Sequence, residues 1–325
     1  MVKAVRVHEV GGPSAMRIEE VDVPAPGGGE ARIRHTAIGV NFIDTYYRSG
    51  LYKAPSGVPF VPGAEAAGVV TEVGEGVTDV AVGQRVVYAG SVGAYAEERV
   101  MPTGRLVPIP DDIEDKVAAA CLLKGLTAQY LIRRTFRVEP EHTVLFHAGA
   151  GGVGLIAGQW LKSLGCTSIS TAGSPEKVEL AREAGYGHVI SYRTENFVER
   201  VAEITGGEKC HVVYDSVGKD TFPGSLDCIR PLGMFVTFGN ASGPVPAIEP
   251  LTLAQKGSLF MTRPTLATYT AQRADLLAAA DDLFAIIRSG AVRITIGQTF
   301  ALDDVVACHE AMESRRTTGS TIQTL

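Results

Sequence analysis

The sequence lacks several features, and each absence excludes a class of protein. No apolar run approaches the roughly 18 residues that a membrane-spanning helix needs. The first ten residues alternate charged and apolar side chains instead of forming the apolar stretch of a signal peptide. The net charge of −6 leaves no basic excess for nucleic acid or an anionic membrane. We therefore predict a cytoplasmic protein that binds neither.

The five cysteines form neither a disulfide framework nor a metal clip. They are odd in number and far apart, they contain no C-x-x-C pair, and none lies in the first 120 residues. Most lie in apolar segments, as reduced core cysteines do. They are Cys121, Cys166, Cys210, Cys228 and Cys308.

Two patterns of secondary structure divide the 325 residues into two predicted domains. Residues 1 to about 120 show short β-rich runs between Gly and Pro turns, with one helical stretch at 42–49, which indicates a small barrel or sandwich. Residues 143–265 alternate six strand patterns with helices, which predicts a doubly wound parallel sheet. A helix over 115–136 connects the two. The remaining tail is too short to fold alone, so we expect it to return to the first domain.

A glycine loop follows the first strand pattern of the second domain. Gly149, Gly151 and Gly154 match G-x-G-x-x-G, and the β-type run Thr143–Phe146 precedes them as the dinucleotide-binding fingerprint requires. The first glycine permits a tight turn, the second lets a pyrophosphate approach the backbone, and the third lets helix pack on strand. The helix N-terminus offers N–H groups and a positive dipole to the phosphates. The loop predicts dinucleotide binding.

The end of the second strand favours NADPH over NADH. NAD-binding folds place an acid about twenty residues after the glycine loop, where it binds the ribose 2′-hydroxyl. Here Ala172–Ser174 contains no acid, and Glu176 is expected to cap the following helix. Ser174 can donate to a 2′-phosphate, Lys177 can supply charge, and Tyr192 is expected nearby.

Six segments carry a resemblance to a known family: NFIDTYYRSGLY (41–52), PFVPGAEAAGVV (59–70), HAGAGGVG (147–154), VVYDSVG (212–218), FGNASG (238–243) and KGSLFMTRP (256–264). Together they resemble the zinc-independent medium-chain dehydrogenase/reductases, and within these the zeta-crystallin-like NADPH:quinone oxidoreductases. The resemblance spans essentially the whole chain. It implies a GroES-like catalytic β domain at 1–122, completed by 266–325, and a Rossmann domain at 123–265 that binds NADPH.

The zinc-dependent cousins of this family carry a catalytic metal whose ligands are replaced here. Where they have a Cys this chain has Asn41, and where they have Gly-His-Glu it has Ala64 between Gly63 and Glu65. Their four-cysteine structural zinc lobe is missing too. Because a zinc site needs three or four converging ligands, we expect no metal.

A site without a metal or an obvious general base suits a readily reduced acceptor. Quinone reduction is strongly favourable, its oxyanion products are stabilised by conjugation, and alignment over the nicotinamide does most of the catalysis. By the resemblance, Tyr46 and Tyr52 face the nicotinamide cleft, where either one bonds a carbonyl oxygen or packs against a flat ring. Asp44 is interpreted as a helix cap, and His147 as a hydrogen-bonded histidine at a strand end.

The resemblance also implies a set of site residues. Asn41, Tyr46 and Tyr52 are the expected catalytic residues. The expected cofactor residues serve the pyrophosphate, the adenosine 2′-phosphate end, the adenine-side ribose and the nicotinamide half in turn, with two further arginines: Gly151, Gly152 and Val153; Gly173, Ser174, Lys177 and Tyr192; Ser216 and Val217; Phe238, Asn240 and Ser242; and Arg263 and Arg315.

Three functional hypotheses follow. The first is an NADPH-dependent quinone reductase that acts on a quinone or another small electrophilic acceptor. The second is reduction of the double bond of an enone or alkenal, for which Tyr46 or Tyr52 would supply the α-carbon proton. The third is a non-catalytic NADPH-binding structural or RNA-binding protein, which the acidic charge balance disfavours. We also expect a homodimer through Ser258–Thr262, since an apolar edge strand is a liability unless it is paired.

Overall fold

Fifteen strands and ten helices make up the computed structural model, which describes residues 1–325. The strands are β1 (Val2–Val7), β2 (Met16–Val21), β3 (Glu30–Val40), β4 (Glu65–Val73), β5 (Arg85–Ala89), β6 (Glu98–Pro102), β7 (Val107–Pro108), β8 (Thr143–Phe146), β9 (Thr167–Ala172), β10 (His188–Ser191), β11 (Cys210–Asp215), β12 (Ile229–Thr237), β13 (Phe260–Thr262), β14 (Ile296–Ala301) and β15 (Ser320–Thr324). The helices are α1 (Phe42–Ser49), α2 (Asp115–Tyr130), α3 (Gly152–Leu164), α4 (Pro175–Glu183), α5 (Phe197–Ile204), α6 (Phe222–Asp227), α7 (Pro250–Gln255), α8 (Leu266–Tyr269), α9 (Arg273–Arg288) and α10 (Val305–Glu313).

The chain divides into two compact units. We call Met1–Leu126, Thr270–Phe284 and Ile294–Leu325 the N-terminal unit, and Thr127–Tyr269 with Ala285–Arg293 the central unit. Each has its own buried apolar core. None of the helices is both long and apolar enough to cross a membrane.

The central unit is built on a six-stranded sheet in which every strand pair is parallel. The spatial order is β10-β9-β8-β11-β12-β13, so the strand order reverses between β8 and β11. This is the doubly wound order of a Rossmann fold, and the predicted fold class is confirmed. Ligands of such sheets bind at the carboxyl ends of the strands where the order reverses, which here is the edge formed by the loops after β8 and β11.

The N-terminal unit contains a seven-stranded sheet and a separate β1–β2 hairpin. The order is β14-β15-β3-β4-β5-β7, with β6 paired to β3. β15 runs antiparallel to β3, so the C-terminal tail joins the N-terminal sheet. Burial alternates along the first part of β3, as a strand with one face on a core requires. Ile33, Val70 and Tyr88 lie in that core.

The observed elements differ from the predicted ones mainly at their ends. The strand expected over 258–262 begins at Phe260, because Gly257 and Ser258 take positive φ angles of 110° and 58°. The helix expected over 115–136 stays α-helical to Tyr130 and continues as a π turn. Strands β6 and β7 were not predicted, since both are short and contain proline.

Candidate active site

The glycine loop connects β8 to α3, and two of its glycines are required by packing. A Cβ on Gly149 would lie 2.2 Å from Ser170 Oγ, and one on Gly154 would lie 2.4 Å from the carbonyl oxygen of Ala148. Gly151 differs, because its φ of −77° and ψ of 166° suit any residue and a Cβ would approach only that same oxygen, at 3.2 Å. Gly151 is also exposed. Glycine at this position therefore leaves the loop open to a ligand.

The first turn of α3 presents unpaired backbone donors next to this opening. Gly151 is the N-cap and no side chain caps the helix. The N–H groups in a first helical turn have no acceptor within the helix, and the helix dipole makes this end positive. Gly151, Gly152 and Val153 thus lie together where a phosphate is favoured.

The residues expected at the 2′-phosphate lie together at the end of β9. Ser174 is the N-cap of α4, and its Oγ accepts the N–H of Lys177 at 3.4 Å. The hydroxyl of Tyr192 rests against Gly173, since a Cβ on that glycine would be 2.1 Å from it. Tyr192 is 45% exposed, so its ring is open to a ligand. We call Gly173, Ser174, Lys177 and Tyr192 the adenosine patch.

Glu176 lies in the first turn of α4, next to the adenosine patch. A hydrogen bond from the Ser174 side chain holds the pKa of Glu176 below its usual value, and the residue's own backbone N–H contributes in the same direction. Negative charge is favoured at this end of a helix. Glu176 therefore serves the helix start, which is the position expected for it.

The loops after β11 and β12 bind each other through their backbones. The carbonyl oxygen of Ser216 accepts the N–H of Ala241 at 3.1 Å. The carbonyl oxygen of Val217 accepts the N–H and the Oγ of Ser242, at 2.8 and 2.9 Å. Phe238 follows β12 directly and donates its N–H back to Asp215. The residues expected at the ribose and nicotinamide therefore belong to one pair of joined loops.

The two candidate arginines lie in different units. Arg263 Nη1 donates to Thr237 Oγ1 at 2.9 Å and to the carbonyl oxygen of Gly239 at 3.0 Å. With its amide turned to satisfy both neighbours, Asn240 accepts from Arg263 Nη2 at 3.1 Å. Arg263 thus stabilises the loop after β12 through these hydrogen bonds. Arg315 belongs to the N-terminal unit, just beyond α10, with a φ of 58°.

The three expected catalytic residues lie on or beside α1 in the N-terminal unit. Asn41 is the N-cap, is 5% exposed, and donates from Nδ2 to Glu65 Oε2 at 2.8 Å. The rings of Tyr46 and Tyr52 meet edge to face with centroids 5.3 Å apart. The N–H of Tyr52 donates to the carbonyl oxygen of Tyr46 at 3.0 Å. The structure brings the two tyrosines together and fixes the orientation of the asparagine amide.

Comparison with known proteins identifies the family. A family model described as alcohol dehydrogenase GroES-like domain matches residues 27–111, and one described as zinc-binding dehydrogenase matches residues 152–281. The chain is 51% identical over 323 residues to a quinone oxidoreductase of Pseudomonas aeruginosa, with 99% of each chain covered. It belongs to the quinone oxidoreductase family of the medium-chain dehydrogenase/reductases.

Two further relatives bear on the function of this family member. It is similar to the solved structure of Escherichia coli quinone oxidoreductase complexed with NADPH, with a TM-score of 0.97 and 45% identity, covering 99% of this chain and 100% of that one. It is also 46% identical over 331 residues to a 2-haloacrylate reductase of a Burkholderia species, with 99% and 98% covered.

The family model over residues 152–281 is named for zinc, but the residues of this oxidoreductase-family chain do not fit a zinc ion. No group of three or more His, Cys, Asp or Glu side chains that could hold a metal occurs within residues 1–325. At the expected ligand positions Asn41 offers an N–H donor that is already bound to Glu65, and Ala64 is a buried methyl group. Zinc is bound by thiolate, imidazole or carboxylate.

A buried ion pair beside Asn41 was not predicted from the sequence. The side chains of Glu65 and Lys124 are 0% and 8% exposed, and Lys124 Nζ lies 3.5 Å from Glu65 Oε2. Glu65 Oε1 accepts the N–H of Leu123 at 2.6 Å, and Lys124 Nζ donates to the carbonyl oxygen of Val40 at 3.2 Å. Burial raises the pKa of Glu65, while the charge of Lys124 and the Asn41 hydrogen bond oppose this.

A buried hydrogen-bond chain leads from α1 to α10. Tyr95 Oη donates to Asp44 Oδ2 at 2.9 Å and lies 3.0 Å from His309 Nε2, and Arg48 Nη1 lies 3.3 Å from His309 Nδ1. Arg48 also pairs with Glu313. Burial raises the pKa of Asp44 to about 7 and lowers that of His309 to about 3, so the imidazole is neutral and accepts from the guanidinium. The chain fixes α1, the helix of the candidate catalytic segment.

Proposed function

We propose that this chain reduces quinones with NADPH as the donor. The observation that carries the proposal is the open N-terminus of α3 at the edge where the strand order reverses, followed by an adenosine patch without an acid in Ala172–Ser174. Similarity along the whole chain to quinone oxidoreductases, one of them solved with NADPH, supports it. In this proposal 123–265 binds the cofactor, and 1–122 with 266–325 forms the catalytic domain.

The cofactor residues present donors of the kind that NADPH requires. Gly152 and Val153 would hold the pyrophosphate through backbone N–H groups and the dipole of α3. Gly151 would let the phosphate approach them, since its own N–H donates to the carbonyl oxygen of Ala148 at 3.0 Å. The adenosine patch would hold the 2′-phosphate with its hydroxyls and the Lys177 ammonium, which acts as a strongly hydrated point charge. When bound, NADPH supplies a hydride from its nicotinamide ring.

The tyrosines and Asn41 would bind and orient the acceptor. The edge-to-face pair of Tyr46 and Tyr52 offers apolar ring surface to a flat quinone and hydroxyls to its carbonyl oxygens. Asn41 is held rigid by Glu65, so it meets a ligand without losing side-chain entropy. The oxygens of the reduced quinone take protons from solvent. The protein therefore contributes by orienting the quinone relative to the nicotinamide and by excluding misaligned complexes.

We expect NADPH oxidation to be at least about tenfold faster with 1,4-benzoquinone than with methyl vinyl ketone, a difference of about 1.4 kcal/mol in barrier. The reason is that a quinone needs no enzymic proton donor. Initial rates at 340 nm with each acceptor, repeated with NADH, measure both preferences. Much faster enone reduction would overturn the quinone assignment in favour of double-bond reduction in an enone or alkenal. The similarity to a 2-haloacrylate reductase is the observation that favours this second hypothesis.

The variants Tyr46→Phe and Tyr52→Phe sharpen this comparison. Both retain the ring and remove the hydroxyl. Quinone turnover should stay within about tenfold of the unmodified protein, whereas loss of a true general acid for enone reduction costs roughly 100-fold or more. A loss of that size on benzoquinone would contradict alignment as the main source of catalysis.

We propose a homodimer through the segment Ser258–Thr262. β13 is an outer strand of the central sheet, and Phe260 on it is 58% exposed. Leu232 and Leu251, which are also exposed, add apolar surface to the same unit. Light scattering at micromolar concentration should give twice the chain mass of 34.3 kDa, and Phe260→Lys should give the single mass. A monomeric unmodified protein would refute the interface.

A further inference from the structure

His147 lies at the end of β8, immediately before the glycine loop, and is fully buried. Its Nδ1 is 3.0 Å from Thr171 Oγ1 and its Nε2 is 3.0 Å from Ser225 Oγ. Ser225 Oγ in turn donates to Asp215 Oδ2 at 3.0 Å. The interpretation of His147 as a hydrogen-bonded histidine is confirmed. Its partners come from the ends of β9 and β11 and from α6, which a simple filler of the core would not need.

The donors and acceptors along this hydrogen-bond chain can be assigned in one consistent direction. The Ser225 hydroxyl faces two acceptors, the Asp215 carboxylate at 3.0 Å and the carbonyl oxygen of Thr221 at 2.8 Å. Its proton is directed to these acceptors, so its oxygen receives the Nε2–H of His147. Nδ1 then accepts the hydroxyl proton of Thr171. Burial lowers the pKa of His147 against the opposing charge of Asp215, in keeping with a neutral ring. The tautomer is assigned from these partners.

Thr171 and Asp215, the two ends of this hydrogen-bond chain, each bind a loop that carries candidate cofactor residues. At one end, Thr171 Oγ1 accepts the N–H of Ala148 in the glycine loop at 3.3 Å. At the other, Asp215 Oδ1 accepts the N–H groups of Val217 and Gly218 at 2.8 and 3.0 Å. The two loops follow β8 and β11, the adjacent strands where the order reverses.

We propose that His147 is a positioning residue for dinucleotide binding. Its neutral imidazole links the glycine loop to the Ser216–Gly218 loop and holds both in the arrangement that receives the pyrophosphate and ribose. It does not touch the ligand, since the side chain is fully buried and both nitrogens are engaged. An apolar residue would fill the same volume without the desolvation cost of burying an imidazole, but it would not orient Thr171 and Ser225. The inference rests on the proposed function, because it assumes that these loops bind NADPH.

Four variants separate the links. His147→Leu removes both hydrogen bonds, and His147→Gln retains a donor that can reach Ser225. Thr171→Val removes the hydroxyl with little change of volume. The double variant His147→Leu/Thr171→Val tests whether the two positions act as one chain.

Two ligands separate positioning from general damage. NADP⁺ carries the pyrophosphate that the glycine loop is expected to receive. By contrast, 2′-AMP lacks the pyrophosphate and is expected to contact the adenosine patch and, through its ribose, the Ser216–Gly218 loop. In calorimetric titrations His147→Leu should weaken NADP⁺ binding by about tenfold or more. Binding of 2′-AMP should weaken by about threefold at most, since of the two loops it meets only the Ser216–Gly218 loop. His147→Gln should recover part of the loss, and the double variant should bind NADP⁺ no worse than His147→Leu.

Any other outcome overturns either the positioning role of His147 or the binding of NADPH. Equal weakening of NADP⁺ and 2′-AMP, or an unchanged NADP⁺ affinity in Thr171→Val and both His147 variants, would overturn the positioning role. Should His147→Leu fail to fold, Thr171→Val and His147→Gln still decide the question. Failure of the unmodified protein to bind either ligand would instead refute NADPH binding, so the two failures are distinguishable.

Discussion

Gly151→Val should weaken NADPH binding on the order of 100-fold, about 2.7 kcal/mol, while leaving the fold intact. The backbone angles at Gly151 suit any L residue, and the one close neighbour of a Cβ is the Ala148 carbonyl oxygen at 3.2 Å, which has to shift by a few tenths of an ångström. What the side chain would occupy is the space in front of the first turn of α3, where the phosphate must approach within hydrogen-bond distance of the N–H groups. The loss therefore falls on the ligand.

Gly12→Val is the matched control for this change. Gly12 also precedes a helical turn, has a φ of −69° with extended ψ, and a Cβ there would meet nothing within 4 Å. Valine is a poor N-cap residue at either position and should lower stability by about 1 kcal/mol in both variants. NADPH titration by fluorescence, with thermal unfolding in parallel, measures the two effects. Similar NADPH affinities in the two variants would contradict a pyrophosphate site at Gly151.

The parts of the structure that could be predicted are those whose conformation is determined by residues close together in the sequence. The glycine loop, the start of α3 and the group Gly173, Ser174 and Lys177 are each contiguous, and strand and helix periodicity sets the parallel sheet around them. Their placement therefore followed from the sequence. The beginning of β13 did not, because it depends on the left-handed conformation of Ser258.

The buried polar pairs were missed for a different reason. Glu65 and Lys124 are 59 residues apart, and His147 and Ser225 are 78 residues apart. A hydrogen bond between distant segments leaves no periodic pattern in either one. A buried charge is expected to be paired, so a lysine within the apolar stretch of α2 was the available signal, but its partner could be named only once the fold was known.

Asn41 is the residue expected in place of a zinc-binding cysteine, and its contacts are those of a hydrogen-bonded amide. The amide donates to Glu65, and Glu65 also receives the N–H of Leu123 and the charge of Lys124. The carboxylate is therefore neutralised by side chains and backbone of the chain itself. This closed arrangement holds Asn41 in one orientation and makes the stability of the N-terminal unit depend on the charge pair.

Lys124→Met should destabilise the protein by roughly 3–5 kcal/mol, because it leaves the Glu65 carboxylate buried without its counter-charge. The double variant Glu65→Gln/Lys124→Met should recover at least half of that loss, since no buried charge remains and the Asn41 amide can turn to accept from the glutamine.

Lys116→Met is the matched control. It lies on the same helix and pairs with Glu114, but both side chains are more than half exposed, and such pairs contribute at most about 1 kcal/mol. Urea unfolding of the cofactor-free protein gives the three values. A Lys124→Met variant no less stable than Lys116→Met, or a double variant less stable than the single one, would show that Glu65 does not depend on the lysine. The remaining donors, Asn41 and Leu123, would then have to hold the carboxylate in its charged form alone, or let it take up a proton.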